Sequence, residues 1–342
     1  MNPRVTVIMR TKDRPLFLSR ALDSVATQTF TDYELIVVND GGEKAPVDAA
    51  LASVPQPARS RMRVIHRERS TGMEAASNAA LAEATGDFVA IHDDDDTWDP
   101  AFLLRTVAFL DEHSEHVGVA VRCLVVHEEI NEDGSFTETS REILASDRTS
   151  WTLVDTLIAS YSPPIAQLCR RSAILEVGCW DESMRTQGDW DFSIRLLSHG
   201  PAGFIDGDPL AHWHHRDNVT GVLGNSIFVA QDDHLSANAR VRDRYLREAV
   251  LRDGVAPSNP MLGAALQNAE YYRRLALALH EENVSLHRAI AQVTAHLDMK
   301  ISRVEDQVVE IQSMLTTINE NIGRLAPKAI ARRVLSSLRL RR

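Results

Sequence analysis

Four short apolar runs, separated by helix-patterned stretches and polar loops, constrain this chain more than any other feature. Val5-Thr6-Val7-Ile8-Met9 reads as a buried strand and Leu16 to Ala26 as a helix. Leu35-Ile36-Val37-Val38 is a second strand, closed by Asn39-Asp40-Gly41-Gly42. Val64-Ile65 is a weaker third strand, and Met73 to Ala84 is helical. Phe88-Val89-Ala90-Ile91 is a fourth strand that runs into four consecutive aspartates, Asp93 to Asp96. Strands alternating with helices imply an α/β domain with a mostly parallel sheet and right-handed crossovers. Ligands of such sheets sit beyond the carboxyl ends of the strands. Asp40 and the aspartate run are therefore expected to face one crevice.

The aspartate run carries the clearest chemistry. Carboxylates crowded at a strand end repel one another unless they share a cation. Hard oxygen ligands suit Mg²⁺ or Mn²⁺, which in turn bridge the phosphates of a nucleotide. A solvated turn capping the next helix is the plainer reading, and it suits Asp99, which precedes Pro100 and a helix to about His113.

The middle of the chain, residues 117–215, is mixed. Val119 to Val126 reads as a strand, Asn131 to Ser135 as a turn, and Ser172 to Val177 and Asp191 to His199 as helices. An acceptor pocket would be built here. After a helix around Leu235 to Leu251, Gly254-Val255-Ala256-Pro257-Ser258-Asn259-Pro260 is a linker by composition. Then Leu286, Ile290, Val293, Leu297, Ile301, Val304, Val308, Ile311, Leu315, Ile318, Ile322 and Leu325 recur at spacings of three and four, with one stutter where two fours adjoin near Leu297. So narrow a stripe is a coiled-coil seam, implying a homo-oligomer; a long helix folded back on the first domain is the alternative. The divisions expected are a catalytic domain over 1–225, a helical extension and linker over 226–260, a coiled coil over 261–326 and a basic amphipathic tail over 327–342.

The net charge of −11 argues against nucleic acid as a partner, because such binding needs basic surface to displace counterions. From Arg324 onward the balance reverses, with six arginines, Lys328 and no acid. That end either lies on anionic lipid or is a frayed, solvated tail. No apolar run is long enough for a bilayer, and the opening residues lack a charged-then-apolar leader. Cys123, Cys169 and Cys179 are an odd number without metal-type spacing. The expected location is cytoplasmic, with peripheral contact at the inner membrane face.

The segment GDFVAIHDDDDTWDP resembles the DXD segment of family 2 glycosyltransferases with a GT-A fold. VTVIMRTKDRPLFLSRALDSVATQTFTDYELIVVNDGG is similar to that family's first strand-helix-strand unit. GMEAASNAALAEATGDF resembles its next helix, and VGCWDESMRTQGDWDFSIRLLSHG its acceptor-side segment, all in the family's order over about residues 4 to 220. The resemblance implies an inverting, metal-dependent transferase that moves a sugar from a nucleotide diphosphate to a glycan or lipid-linked acceptor in cell-surface polysaccharide synthesis. By the same resemblance Asp40 contacts the nucleobase, Asp93 lies near ribose and metal, and Asp95 is a metal ligand, with Mn²⁺ or Mg²⁺ as the ion. Thr11 and Arg14 border the nucleotide. Asn78 either faces that pocket or is a helix-surface amide. The family often has arginine just before this asparagine; here Ser77 stands there, and Arg69 is one residue able to replace the phosphate contact.

Family members commonly show Glu-Asp where this chain has Gly188-Asp189. The resemblance makes Asp189 the base that removes the acceptor hydroxyl proton, with Asp191 as fallback. Of His212, His214 and His215, the last best fits a family histidine that contacts metal or diphosphate. Strand alternation puts the first two on one face and His215 on the other. Trp190 is the candidate platform for an acceptor sugar. Two other readings stay open. A nucleotidyltransferase on a similar sheet would want a glycine-rich loop after the first strand, which Arg10-Thr11-Lys12-Asp13-Arg14-Pro15 is not. A non-catalytic scaffold assembled through the coiled coil would draw its support from Gly188 and Ser77.

Overall fold

The computed structural model describes residues 2–184, 186–216, 231–253 and 260–339. The chain divides into two compact units, residues 1–252 and 253–342. The first holds a seven-stranded sheet in the order β10-β6-β9-β4-β1-β2-β3. Its strands are β1 (Val5–Thr11), β2 (Tyr33–Asn39), β3 (Met62–His66), β4 (Phe88–Asp93), β6 (Gly118–Val121), β9 (Gln167–Arg170) and β10 (Ala202–Ile205). β1, β2, β3 and β4 run parallel, and β9 is antiparallel to both β4 and β6. The mostly parallel α/β sheet expected from the alternating pattern is present, and its architecture is that of a GT-A transferase.

Strand alternation divides the core. Val5, Val7 and Met9 pack with α1 (Pro15–Ala26), α2 (Lys44–Ser53) and α4 (Phe102–Glu112) through Leu18, Leu22, Leu51, Leu103 and Val107. Ile8, Ile36 and Val38 turn to the other face and meet Ala76, Ala80 and Leu81 of α3 (Met73–Glu83), Ile174 of α6 (Arg171–Glu176), and Phe192 and Leu196 of α7 (Gly188–His199). A period-two strand buried on both faces is the reason these runs contain almost no polar residue. Truncating Leu22 or Leu196, both fully buried, to alanine would cost about 2–5 kcal/mol.

A second, four-stranded sheet in the order β5-β11-β7-β8 stands beside the first. It comprises β5 (Thr97–Trp98), β7 (Cys123–Ile130), β8 (Phe136–Ile143) and β11 (Ala211–His215). The single strand expected over 119–126 is thus two, parted at Arg122, because the chain leaves one sheet for the other there. α5 (Leu153–Ile158) and α8 (Gln231–Asp253) complete the unit. The second unit contains α9, a single helix over Pro260–Arg339 that continues across position 326. Leu286, Ile290, Val293, Leu297, Ile301, Val304 and Val308 on it are about half exposed, at 47–59%. The linker residues 254–259, the Asp217-Asn218-Val219-Thr220 stretch, the 225/226 division and the last three residues of the basic tail lie outside the described residues.

Candidate active site

β1 lies between β2 and β4, so the chain leaves it in opposite directions and a crevice opens at the carboxyl ends of these strands. Strand register fixes what meets there. Arg10 is paired with Asp93 across β1 and β4, and Thr11 with Asn39 across β1 and β2. Arg10 Nε donates to Asp93 Oδ1 at 3.1 Å, and its Nη1 reaches the Ser77 hydroxyl at 3.4 Å. The guanidinium beside Ser77 therefore comes from Arg10 on the first strand; Arg69 is exposed.

Asp40 follows β2 and spends its carboxylate on the loop over 67–72. Arg67 donates to it at 2.6 Å, the Ser70 hydroxyl at 2.6 Å and the Gly72 amide at 3.2 Å. Gly41, at φ +77°, allows this approach: a Cβ there would stand 2.6 Å from the Arg69 carbonyl carbon. Asp40 is thus at the crevice edge and organises the loop that walls it.

Asp94, Asp95 and Asp96 are buried, whereas Asp93 is half exposed. Arg14, at the start of α1, pairs with Asp94 and reaches Asp95 at 3.2 Å. Thr11, buried at the end of β1, helps Asp94 against its burial, which nevertheless pushes that carboxyl up to about 7. Burial also raises Asp96 well above the carboxylate range, with Asp95 and Asp93 adding to the effect. Burial would raise Asp95 too, but Arg14 and Arg216 outweigh it and hold the carboxyl below its ordinary value.

Two residues complete this cluster that the sequence reading missed. Arg216, fully buried after β11, pairs with Asp95 and donates to Glu128 at 2.9 Å. Glu128 also accepts from Arg20 at 2.7 and 2.9 Å, and lies 2.9 Å from His214 Nδ1. Despite burial, which works the other way, His214 and Arg20 bring the Glu128 carboxyl down to about 2. A bulge between His127 and Glu128 accompanies its inward position on β7, whose hairpin partner β8 is mostly exposed.

The structure also shows where Asp189, Trp190 and Asp191 of the middle segment, and Asn78 of α3, stand. α7 begins at Gly188, earlier than the expected start at Asp191, so successive side chains diverge around its first turn. Asp189 lies within electrostatic reach of Arg10 and Asp93; burial raises its carboxyl, opposed by the Trp190 amide and Arg10. Asp191, the fallback base, is fully buried in ion pairs with Arg195 at 2.9 Å and with Arg244, and accepts from the Tyr245 hydroxyl at 2.7 Å. It fastens α7 to α8 and leaves no carboxylate oxygen for an acceptor. Trp190 is no sugar platform. It is 1% exposed, donates its indole N–H to the Thr156 carbonyl at 2.5 Å and packs under Arg242 and Val241. Asn78 spends its amide on Trp180 and Glu182, donating at 2.8 and 2.9 Å and accepting from the Trp180 N–H at 3.1 Å. It clamps the 180–182 segment to α3 and is not turned toward a nucleotide.

The histidines alternate as expected. Thr97 Oγ1 lies 3.3 Å from His212 Nδ1 and 2.9 Å from His214 Nε2, while the His215 ring packs on Trp213 and His127. Among the described residues no group of three or more His, Cys, Asp or Glu side chains converges as a metal site. The donor chemistry of Asp93 and Asp95 nonetheless suits a hard divalent ion that draws its other oxygens from a diphosphate. Asp95 remains ionised among its arginines, and Asp93 is the most open of the run.

The family model for glycosyl transferase family 2 matches residues 6–173, which span the sheet from β1 to β9. The uncharacterized glycosyltransferase YwdF of Bacillus subtilis is 30% identical over 199 residues, covering 56% of this chain and 67% of its own length. A PGL/p-HBAD biosynthesis glycosyltransferase of Mycobacterium bovis is 26% identical over 199 residues, covering 58% of this chain and 71% of its own length. The crystal structure of S. aureus TarS in complex with UDP-GlcNAc superposes with a TM-score of 0.53 over 75% of this chain and 74% of its own, at 16% identity, and so shares the fold. With the aspartate run at the end of β4 and this match in family and relative, the chain belongs to glycosyl transferase family 2.

Proposed function

We propose that the chain transfers a sugar, with inversion, from a nucleoside diphosphate to a hydroxyl of a glycan or lipid-linked acceptor in cell-surface polysaccharide synthesis. The observation that carries this reading is that Arg10, ion-paired with Asp93 at the end of β4, also lies within electrostatic reach of Asp189, 96 residues beyond Asp93 in the sequence. The base and ribose lie against Asp40 and Asp93, bordered by Thr11 and Arg14. Asp93 and Asp95 would hold Mg²⁺ or Mn²⁺, whose charge offsets that of the leaving diphosphate. Asp189 takes the acceptor hydroxyl proton, the acceptor oxygen bonds to the anomeric carbon, and the bond from that carbon to the diphosphate oxygen breaks with its electron pair leaving on the diphosphate. A carboxyl raised toward neutrality by burial is a better proton acceptor than a solvated one.

UDP is the first nucleotide to try, because the TarS structure holds UDP-GlcNAc. The test is the melting temperature with UDP, GDP, dTDP and CDP, each with and without Mn²⁺, followed by release of nucleoside diphosphate from the matching sugar donor. A metal-dependent rise with one nucleotide is expected, and silence toward all four would overturn the reading. A second copy of this chain is proposed to cover the exposed seam of α9 as a coiled coil. Among the described residues no helix is long and apolar enough to cross a membrane. Attraction of the basic end to anionic lipid would bring the enzyme to a lipid-linked acceptor at the inner membrane face.

A further inference from the structure

A charged side chain is buried in the active-site wall for which the mechanism above has no use. Glu74, in the first turn of α3, is 4% exposed, and the residues around it on that helix are Ala75, Ala76 and Ser77. Its carboxyl rests on the backbone of Gly188. A Cβ at that position would lie 2.6 Å from Glu74 Cγ and 2.7 Å from Cδ, and closer still to Oε1. Only glycine admits this carboxyl, although the backbone at 188 is ordinary helix and does not itself demand glycine. Asp93 pairs with the Arg10 guanidinium, and Glu74 and Asp189 lie within electrostatic reach of it; the guanidinium also meets the Ser77 hydroxyl at 3.4 Å. Isolated burial of a carboxylate costs several kcal/mol, so its presence here needs a return elsewhere.

We propose that Glu74 is a positioning residue of the transfer reaction: it reaches from α3 into the space Gly188 leaves open, and its carboxyl sets the places of Arg10 and Asp189 in the crevice. The proposal rests on the reading that Asp189 is the base. Glu74 touches neither donor nor acceptor. It acts by fixing the guanidinium between Asp93 and Asp189 and by closing the wall behind the first turn of α7. Pairing a buried acid with the glycine that accommodates it also explains why position 188 carries no side chain of its own.

The experiment uses the full chain and release of nucleoside diphosphate from UDP-, GDP-, dTDP- and CDP-linked sugars, followed on whichever is turned over. Glu74→Ala should lower kcat at least about tenfold with donor KM within about twofold. Gly188→Ala should do nearly the same without removing a charged group, because it displaces the Glu74 carboxyl, a flexible side-chain end, while the fold is kept. The double variant E74A/G188E, which returns a carboxyl to the same space from the opposite backbone, should regain several-fold over Glu74→Ala. A merely structural Glu74 would instead move melting temperature and KM together. Should the double variant fail to fold, Gly188→Ala decides: kcat within about twofold of wild type overturns the proposal. Full turnover in Glu74→Ala beside an inactive Asp189→Asn overturns it alone. A fully active Asp189→Asn removes the base assignment and this proposal with it, as does no release from any donor.

Discussion

Two groups of acids flank the end of β4, and they are balanced differently. Around Arg14, Arg20 and Arg216, the carboxylates of Asp94, Asp95 and Glu128 each have a guanidinium partner, and Asp96 accepts from the His214 amide. Around Arg10, three acids face a single cation. The first group closes on itself, tying α1, β4, β7 and the residue after β11 together across 80 to 121 positions of sequence. The second is short of positive charge and lies where a donor diphosphate, a divalent ion or an acceptor proton would enter. The groups differ in how many guanidiniums serve them, three in the first and one in the second, since burial is common to both; Asp95, a proposed metal ligand, is held by the first.

The sharpest way to break this comparison is Asp189→Asn. If the under-compensated group is the reactive one, turnover should fall by about 10²–10⁴-fold, the range for losing a general base, with nucleotide binding retained. Arg216→Met tests the other group. Removing a fully buried guanidinium leaves Asp95 and Glu128 facing one another without it, so chemical denaturation should show a loss of about 3–5 kcal/mol. Equal stability loss in the two variants would erase the distinction.

The fold was legible because β1, β2 and β4 are buried on both faces, which leaves nearly unbroken apolar runs, and because turns such as Asn39-Asp40-Gly41-Gly42 punctuate them; β3, only partly buried, was the weaker signal. The site was legible only in part. Asp93 and Asp95 stand directly after a strand, and so could be found from pattern alone. Asp189 came from resemblance, since nothing local distinguishes it from Asp191 two residues on; what separates them is the turn of α7, which sends one toward Arg10 and the other toward Arg195 and Arg244. Arg10, Glu74, Glu128 and Arg216 were missed because their partners lie far away in sequence and are brought together only by tertiary packing. One signal was available: Glu74 is an acid among Ala75, Ala76 and Ser77 on a helix whose small residues announce close approach to the sheet. Trp190 misled because a tryptophan beside the candidate base suggests a sugar platform, whereas helical geometry turns the two apart.

Acidity separates one member of each group, Glu128 and Glu74, with a smaller effect. Glu128 is held down to about 2, so its contribution to stability is fully present above the ordinary glutamate value of 4.5 and is lost as pH falls toward 2. Glu74 is pushed by burial up to about 7, so the folded state binds the extra proton and stability falls as pH rises from 4.5 to 7. Glu128→Gln should therefore flatten the acid limb of the stability profile, and Glu74→Gln the limb approaching neutrality, each by up to about 3 kcal/mol. Thermal melts of the three proteins between pH 3 and 8, on a scale of about one unit per step, check both signs. Asp94 and Asp96, also raised by burial, keep a share of that slope, so a Glu74→Gln protein whose stability declines toward neutral pH as steeply as wild type would place the titrating acid elsewhere.

The smallest effect on either group is expected from changes to the apolar seam of α9. Ile301, Val304 and Val308 are 47–57% exposed in the single chain, and a partner helix would desolvate them. Placing aspartate at Val304 and Val308 buries charge in any coiled coil, which costs more than one seam can return, so sedimentation should show the chain reverting to a monomer. Turnover per chain and the denaturation midpoint of the first unit should stay as they were. A fall in turnover that tracks the loss of assembly would show instead that the acids around Arg10 depend on a second copy for their placement, and the balance of charge within one chain would no longer suffice to identify the reactive group.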